Sequence, residues 1–125
     1  MLKNTTIGIT QHFDAAHRLP EHKGKCKNLH GHTWKVTVEV KNIEQMDYDY
    51  NKDMIVDFHD LKLWLNLVIG RLDHHNLNLI LETTSTCENL VEYFYEKLEE
   101  EIPSNIKITK ILIQEGLGGH AKWER

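Results

Sequence analysis

His30-Gly31-His32-Thr33-Trp34-Lys35-Val36-Thr37-Val38-Glu39-Val40-Lys41 alternates in chemistry: Trp34, Val36, Val38 and Val40 share one parity, and polar side chains separate them. A period of two predicts a β-strand from Thr33 to Lys41 with one face in a core. Carried backward, the apolar parity takes in His32 and His30, so both imidazoles project together on the inward side. Gly31 between them permits close approach of backbone or ligand. Two imidazoles held in parallel by a rigid strand suit a first-row metal ion, and zinc is the commonest choice. The bland alternative is a chance His-x-His pair.

Upstream, Thr5 to His17 reads as another strand, with Ile7, Ile9, Phe13 and Ala15 on one parity and His17 on the same side. An antiparallel pairing would set His17 beside the other two imidazoles. Three neutral imidazoles and an open fourth position describe a catalytic zinc site. No acidic residue or cysteine stands at obvious ligand spacing to close it, although Cys26 is near. The intervening segment is rich in Lys, Gly and Asn, and long loops in compact domains are often functional. Lys23, Lys25 and Lys27 surround Cys26, and nearby cations favour a thiolate. The same lysines, with Arg18, could hold phosphates; a solvated charge run is the ordinary alternative.

Downstream, Asn42 to Asp53 is polar and turn-like, and Met54-Ile55-Val56 could form a short third strand. Asp57 suits a helix N-cap. Leu61, Trp64, Leu65, Val68 and Leu72 follow at helical spacing, with Gly70 weakening the helix end. A second helix starts near Ser85-Thr86, where Ser85 and Glu88 have capping-box spacing. Its stripe is Cys87, Leu90, Val91, Phe94, Leu98 and Ile102, and Pro103 stops it. Ile106 to Glu115 reads as a last strand whose alternation slips near Lys110, as at a bulge. This order favours an α+β domain: an antiparallel sheet with both helices on one face. Thr37, Glu39 and Lys41 make the other face polar.

The chain has 125 residues, 40% hydrophobic and 27% charged, which fits one ordinary globular domain over residues 1–125. The net charge of −4 does not favour a nucleic-acid partner. No run approaches the roughly 20 apolar residues of a membrane span. No signal peptide is evident, and two cysteines make a poor disulfide framework, so the cytoplasm is the expected compartment.

Two further features carry possible chemistry. Asp73-His74-His75 places a carboxylate beside an imidazole, and such a pair can move protons. Adjacent side chains often miss each other, so the pair alone is weak, and His75 reads as a bystander. Glu115 ends the last strand on the parity of Ile111 and Ile113. It is either structurally paired or an acceptor for two parallel N–H donors of a heterocycle.

Taken in order, Phe13-Asp14-Ala15-Ala16-His17-Arg18-Leu19, Cys26-Lys27-Asn28-Leu29-His30-Gly31-His32, Val56-Asp57-Phe58, Leu72-Asp73-His74-His75-Asn76-Leu77-Asn78, Thr86-Cys87-Glu88-Asn89-Leu90 and Gln114-Glu115 resemble the 6-pyruvoyl-tetrahydropterin synthase family. That family includes the bacterial 6-carboxytetrahydropterin synthases. The likeness runs from about residue 7 to the C-terminus, and the joint order is far more specific than any one motif. The resemblance implies the tunnelling fold: a four-stranded antiparallel sheet with two helices on one face, assembled into an oligomeric barrel. Members are commonly hexamers with active sites between subunits. It implies His17, His30 and His32 as ligands of Zn2+, Cys26 as catalytic thiol, and Asp73 and His74 as the rest of the proton-transfer set. Glu115 would anchor the pterin, with Thr86 and Glu88 near its pocket, and Arg18 is a candidate contact for the triphosphate.

Three residues lie between Cys26 and His30, which looks like the carboxytetrahydropterin synthases; animal-type pyruvoyl synthases have a longer insertion there. The resemblance therefore implies a carbon–carbon lyase that converts 7,8-dihydroneopterin triphosphate to 6-carboxy-5,6,7,8-tetrahydropterin, triphosphate and acetaldehyde, in 7-deazaguanine and queuosine synthesis. One alternative is the phosphorus–oxygen lyase of the pyruvoyl type, which eliminates triphosphate and keeps the side chain. Another is an aldolase-like relative, against which Cys26 argues, since a Glu commonly replaces the thiol there. A third is a non-catalytic, zinc-stabilised pterin-binding module. Gly116-Leu117-Gly118-Gly119 departs from relatives, which usually have a Thr and less glycine after the glutamate. Cys87, where many relatives have Ser or Ala, is a smaller departure.

Overall fold

A computed structural model describes residues 2–43 and 53–125. Strands β1 (Ile7–His17) and β2 (His30–Asn42) come first, then helices α1 (Phe58–Ile69) and α2 (Cys87–Glu101), then strands β3 (Ile106–Glu115) and β4 (His120–Glu124). The strands form one antiparallel sheet in the order β1-β2-β3-β4. Helix α1 packs over β1, and α2 over β3 and β4. No helix among the described residues is long and apolar enough to cross a membrane.

Alternation decides which face is buried. Phe13 and Ala15 of β1, Trp34, Val36, Val38 and Val40 of β2, and Ile111 and Ile113 of β3 enter the core. They meet Leu61, Leu65 and Val68 of α1 and Leu90, Phe94 and Leu98 of α2. Phe13 stacks on Trp34 with ring centroids 6.2 Å apart and touches Phe94 at 6.0 Å. Each buried Val, Leu, Ile or Phe among them contributes about 1.5–3 kcal/mol, so the apolar stripes hold the sheet to the helices. On the far face Thr10 and Thr37 share a hydrogen bond of 2.7 Å, in keeping with the expected polarity there.

Register places the functional end. His17 pairs with His30, Ala15 with His32 and Phe13 with Trp34. Trp34 in turn pairs with Glu115. The strand parity that buries Trp34 thus carries His17, His30, His32 and Glu115 to one end of the inward face. The slip expected near Lys110 is a bulge: Glu39 faces Lys110 but Val40 faces Ile108, leaving Thr109 as the extra residue. Ile108 and Thr109 are consequently both buried.

Three expectations need correction. Met54-Ile55-Val56 is a bend and not a strand. Ile55 and Val56 are buried consecutively, which a pleated strand with one inward face cannot do. Nor is Ile106–Glu115 the last strand: the fourth is β4, reached through the glycine-rich turn at 116–119, where Gly116 adopts φ +56°. Helix α2 is capped by Thr86, whose hydroxyl accepts from the Asn89 amide at 3.2 Å, and not by Ser85. Ser85 is buried and its main chain is used elsewhere. Asp57 caps α1 as expected, accepting from the His59 amide at 2.7 Å. Most of the turn-like stretch Asn42 to Asp53, residues 44–52, lies outside the described residues.

Candidate functional site

His17 sits fully buried at the end of β1, and its Nδ1 lies 2.8 Å from the Ser85 carbonyl oxygen. His30 makes the same kind of contact, Nδ1 to the Asn28 carbonyl oxygen at 2.7 Å. A carbonyl can only accept, so each Nδ1 donates, and in the neutral ring Nε2 then carries the lone pair. The rings converge: centroids of His17 and His30 are 4.6 Å apart, His17 and His32 5.2 Å, and His30 and His32 4.7 Å. Trp34 closes the floor, 4.9 Å from His17 and 5.4 Å from His32.

Glu115 completes the group. One ligand atom from each of His17, His30, His32 and Glu115 lies within 4.8 Å of the others. The carboxylate Oε1 is 3.1 Å from His32 Nε2, and Oε2 is 3.9 Å from His17 Nε2. Neither Nε2 has a hydrogen-bond partner, although both atoms are buried. Two buried imidazole nitrogens without a hydrogen-bond partner, beside a third imidazole and a carboxylate, form a group that could hold a metal ion. Burial is the largest effect on His17 and lowers its pKa, which keeps it in the neutral form a metal needs. The sequence showed no acidic residue at ligand spacing; strand register supplies one, because β3 ends beside β2 at Trp34.

Asp73 and His74 form a second group on the edge of β1. His74 Nδ1 is 3.0 Å from Asp73 Oδ2, so these adjacent side chains do meet. They meet because His74 adopts φ +60°, which folds the chain back on itself. Asp14 joins them, with ligand atoms of Asp14, Asp73 and His74 all within 4.8 Å of one another. An open cleft of about 590 Å³ is lined by Asp14, Thr33 and His74 on one side and reaches Gly31 and His32. Nothing lies within 4 Å of where a Gly31 side chain would start, so the backbone there is open to a ligand.

Cys26 stands on a short turn, Lys25–Lys27, half-buried and outside the four converging donors. Its carbonyl accepts from the Leu19 amide at 2.7 Å, which ties the loop to the end of β1. Arg18 is exposed, and its main chain is fixed by Asn78: its amide donates to Asn78 Oδ1 at 2.8 Å, and its carbonyl accepts from Asn78 Nδ2 at 2.9 Å. Lys23, Lys25 and Lys27 are exposed. Thr86 is spent on the helix cap, and Glu88 is exposed in the first turn of α2. Cys87 Sγ is 3.8 Å from Glu115 Oε2.

Sequence reading missed the part played by Ser85, Asn78, Cys87 and Asp14. Ser85 and Asn78 act through contacts across the fold, for which no local pattern exists. Cys87 fell on the apolar stripe and Asp14 on the polar face of β1, so periodicity hid both.

The sequence model of the 6-pyruvoyl tetrahydropterin synthase family matches residues 6–125. The chain is 41% identical over 90 residues to a 6-carboxy-5,6,7,8-tetrahydropterin synthase of Synechocystis sp., covering 70% of each chain. It is 31% identical over 113 residues to a dihydroneopterin monophosphate aldolase of Pyrococcus furiosus, covering 89% of this chain and 91% of that one. Among solved structures, that of Caenorhabditis elegans 6-pyruvoyl tetrahydropterin synthase matches with a TM-score of 0.79 at 30% identity, covering 97% of this chain and 95% of that one.

Proposed function

The chain belongs to the 6-pyruvoyl tetrahydropterin synthase family, and from that premise we propose that it is a zinc-dependent 6-carboxytetrahydropterin synthase. The observation that carries this reading is the group of His17, His30, His32 and Glu115 with two orphaned Nε2 atoms, next to a cleft that holds His74. Relatives in this family are named for three different reactions, so the choice among them rests on the spacing of Cys26 and His30, with three residues between. The substrates are 7,8-dihydroneopterin triphosphate and one water; the products are 6-carboxy-5,6,7,8-tetrahydropterin, triphosphate and acetaldehyde. The same proposal places the chain in 7-deazaguanine and queuosine synthesis, in the cytoplasm, as a homohexamer with sites between subunits.

Each residue then has a task. His17, His30 and His32 would hold Zn2+, which supplies Lewis-acid polarisation of the substrate side chain. Glu115 accepts from the N–H donors of the pterin ring. Cys26, as thiolate, moves a proton at the side chain, and the lysines around it favour that ionised form. His74 moves a second proton while Asp73 fixes its ring through Nδ1. Arg18, Lys23, Lys25 and Lys27 bind the triphosphate, and Thr86 and Glu88 border the pterin.

Incubating the purified zinc protein with the substrate tests the reaction. Acetaldehyde released with each pterin product is the expected result, and triphosphate without acetaldehyde would assign the pyruvoyl-type elimination. Cys26→Ala should abolish turnover and keep the metal; full activity in that variant would remove the thiol from the mechanism.

A second reading has one observation in its favour. The Glu115 carboxylate lies 3.1 Å from His32 Nε2 and within the group of three imidazoles, and four protein donors describe a structural zinc site. Cobalt substitution separates the two: a bound-water signature supports the enzyme, and a closed four-donor spectrum supports a zinc-stabilised binding module.

A further inference from the structure

Asp14 stands where neither the zinc reading nor the pterin reading uses it. Its side chain is exposed on the polar face of β1, so the core does not need it. Yet Asp14 makes four contacts, three of them to the segment carrying the proton-transfer pair and one to Thr33 of β2. Its amide donates to Asp73 Oδ1 at 2.9 Å. Its carbonyl accepts from the His74 amide at 2.6 Å. Its own carboxylate accepts from the Thr33 hydroxyl at 2.6 Å, across the β1–β2 pair. A carboxylate oxygen of Asp14 also lies within 4.8 Å of the ligand atoms of both Asp73 and His74.

His74 is one of two non-glycine residues with positive φ among the described residues. That conformation is sterically unfavourable for an L-residue and persists only where surrounding contacts fix it. Two main-chain bonds to Asp14, with a third from the Ala16 amide to the His75 carbonyl at 3.0 Å, are those contacts here. Bonding to the Asp14 amide is also the largest of the effects that hold the Asp73 carboxyl below its ordinary range. The result is an imidazole with a carboxylate of Asp73 at Nδ1 and a second carboxylate, that of Asp14, clamped nearby by Thr33.

We propose that Asp14 is a positioning residue of the proton-transfer pair, with Thr33 fixing its carboxylate so that it orients the His74 ring and opposes the positive charge that ring takes on during turnover. This rests on the reading of Asp73 and His74 as the pair that moves a proton. A charge formed transiently on the imidazole is stabilised by a fixed negative group that needs no rearrangement at the moment of transfer. Asp14 does not touch the metal group, so its loss should leave zinc binding intact.

Two substitutions separate charge from scaffold. Asp14→Asn keeps an acceptor for Thr33 and leaves the main-chain bonds, but removes the charge. Asp14→Glu keeps the charge. Zinc content, kcat and KM are measured for both, alongside His74→Ala. The expected outcome is a fall of about tenfold in kcat for Asp14→Asn, of the order found for a partial loss of acid–base catalysis. KM and zinc content should stay at wild-type values, and Asp14→Glu should recover most of the rate. Wild-type kcat in Asp14→Asn, with His74→Ala inactive, overturns the inference and leaves the pair standing. Wild-type kcat in His74→Ala overturns the pair and the inference with it. Equal losses in Asp14→Asn and Asp14→Glu overturn the role of the charge.

Discussion

At His17 burial and metal binding ask for the same protonation state. Its ring is held neutral by burial, which outweighs the opposing effects of the Ser85 carbonyl and the Glu115 carboxylate, so folding disfavours the proton that the unfolded chain accepts near the ordinary value of 6.5. The sign follows: this stability is present above that value and is lost as pH falls through the window between it and the lowered folded value. Urea unfolding of the chelated protein at about pH 7.5 and about pH 5.5 should show a lower midpoint in acid, with a shallower fall in His17→Gln. A midpoint that does not move, or an equal fall in both proteins, would count against this account. Cys87 gives a second residue-level test. Burial, and next the Glu115 carboxylate, push its thiol from 9.0 up to about 12. It therefore stays protonated and 8% exposed beside Glu115, while Cys26 sits half-buried in its lysine loop. Iodoacetamide at mildly alkaline pH should add one label to the native protein, at Cys26; a second label at Cys87 sinks the argument.

At the scale of elements, α2 shows how one residue can be asked for two things. Thr86 caps the helix through the Asn89 amide, and the family resemblance also puts it near the pterin. Thr86→Ala should cost about 1 kcal/mol through the lost cap, seen as a lower unfolding temperature. If KM for the pterin substrate stays unchanged in that variant, capping is the whole of its role. The strands were the most legible elements, since alternation in β1, β2 and β3 follows directly from one buried face. Helix α1 was legible from Asp57 and the stripe at Leu61, Leu65 and Val68. What escaped were short pieces: the bend at 54–56 resembled a strand because it is apolar, and β4 hid behind the glycines although Ala121 and Trp123 alternate with His120, Lys122 and Glu124. A strand of five residues, His120–Glu124, carries too few turns of the pattern to stand out.

At the scale of the whole molecule, β1 and β4 are the two edge strands of the described sheet. An edge carries unpaired backbone groups that another chain can use. Asn76 bridges to Ala16 and the His74 amide meets the Asp14 carbonyl, which covers only the site end of β1. Leu29, Leu79 and Leu117 stand exposed on segments around that end, at 58%, 83% and 107%. Apolar side chains so placed favour a second copy over water. Sedimentation equilibrium at micromolar concentration should therefore give a multiple of the chain mass, six in the barrel proposed above. A monomer under those conditions would refute the assembly without touching the zinc site.

Sequence alone determined the period-two strands, the helix stripes and the parity that puts His17, His30, His32 and Glu115 on the inward face. These are consequences of local geometry, because a strand's side chains alternate whatever the strand packs against. Tertiary structure decided which of those residues meet. The pairing of His17 with His30 and of Trp34 with Glu115 is a matter of register between distant strands, and the turn that brings His74 to Asp73 and Asp14 exists only once β1 is there to hold it. Contacts across the fold leave no periodic trace in the chain, so the approach of Glu115 to the imidazoles and the Asp14 clamp became visible only in three dimensions.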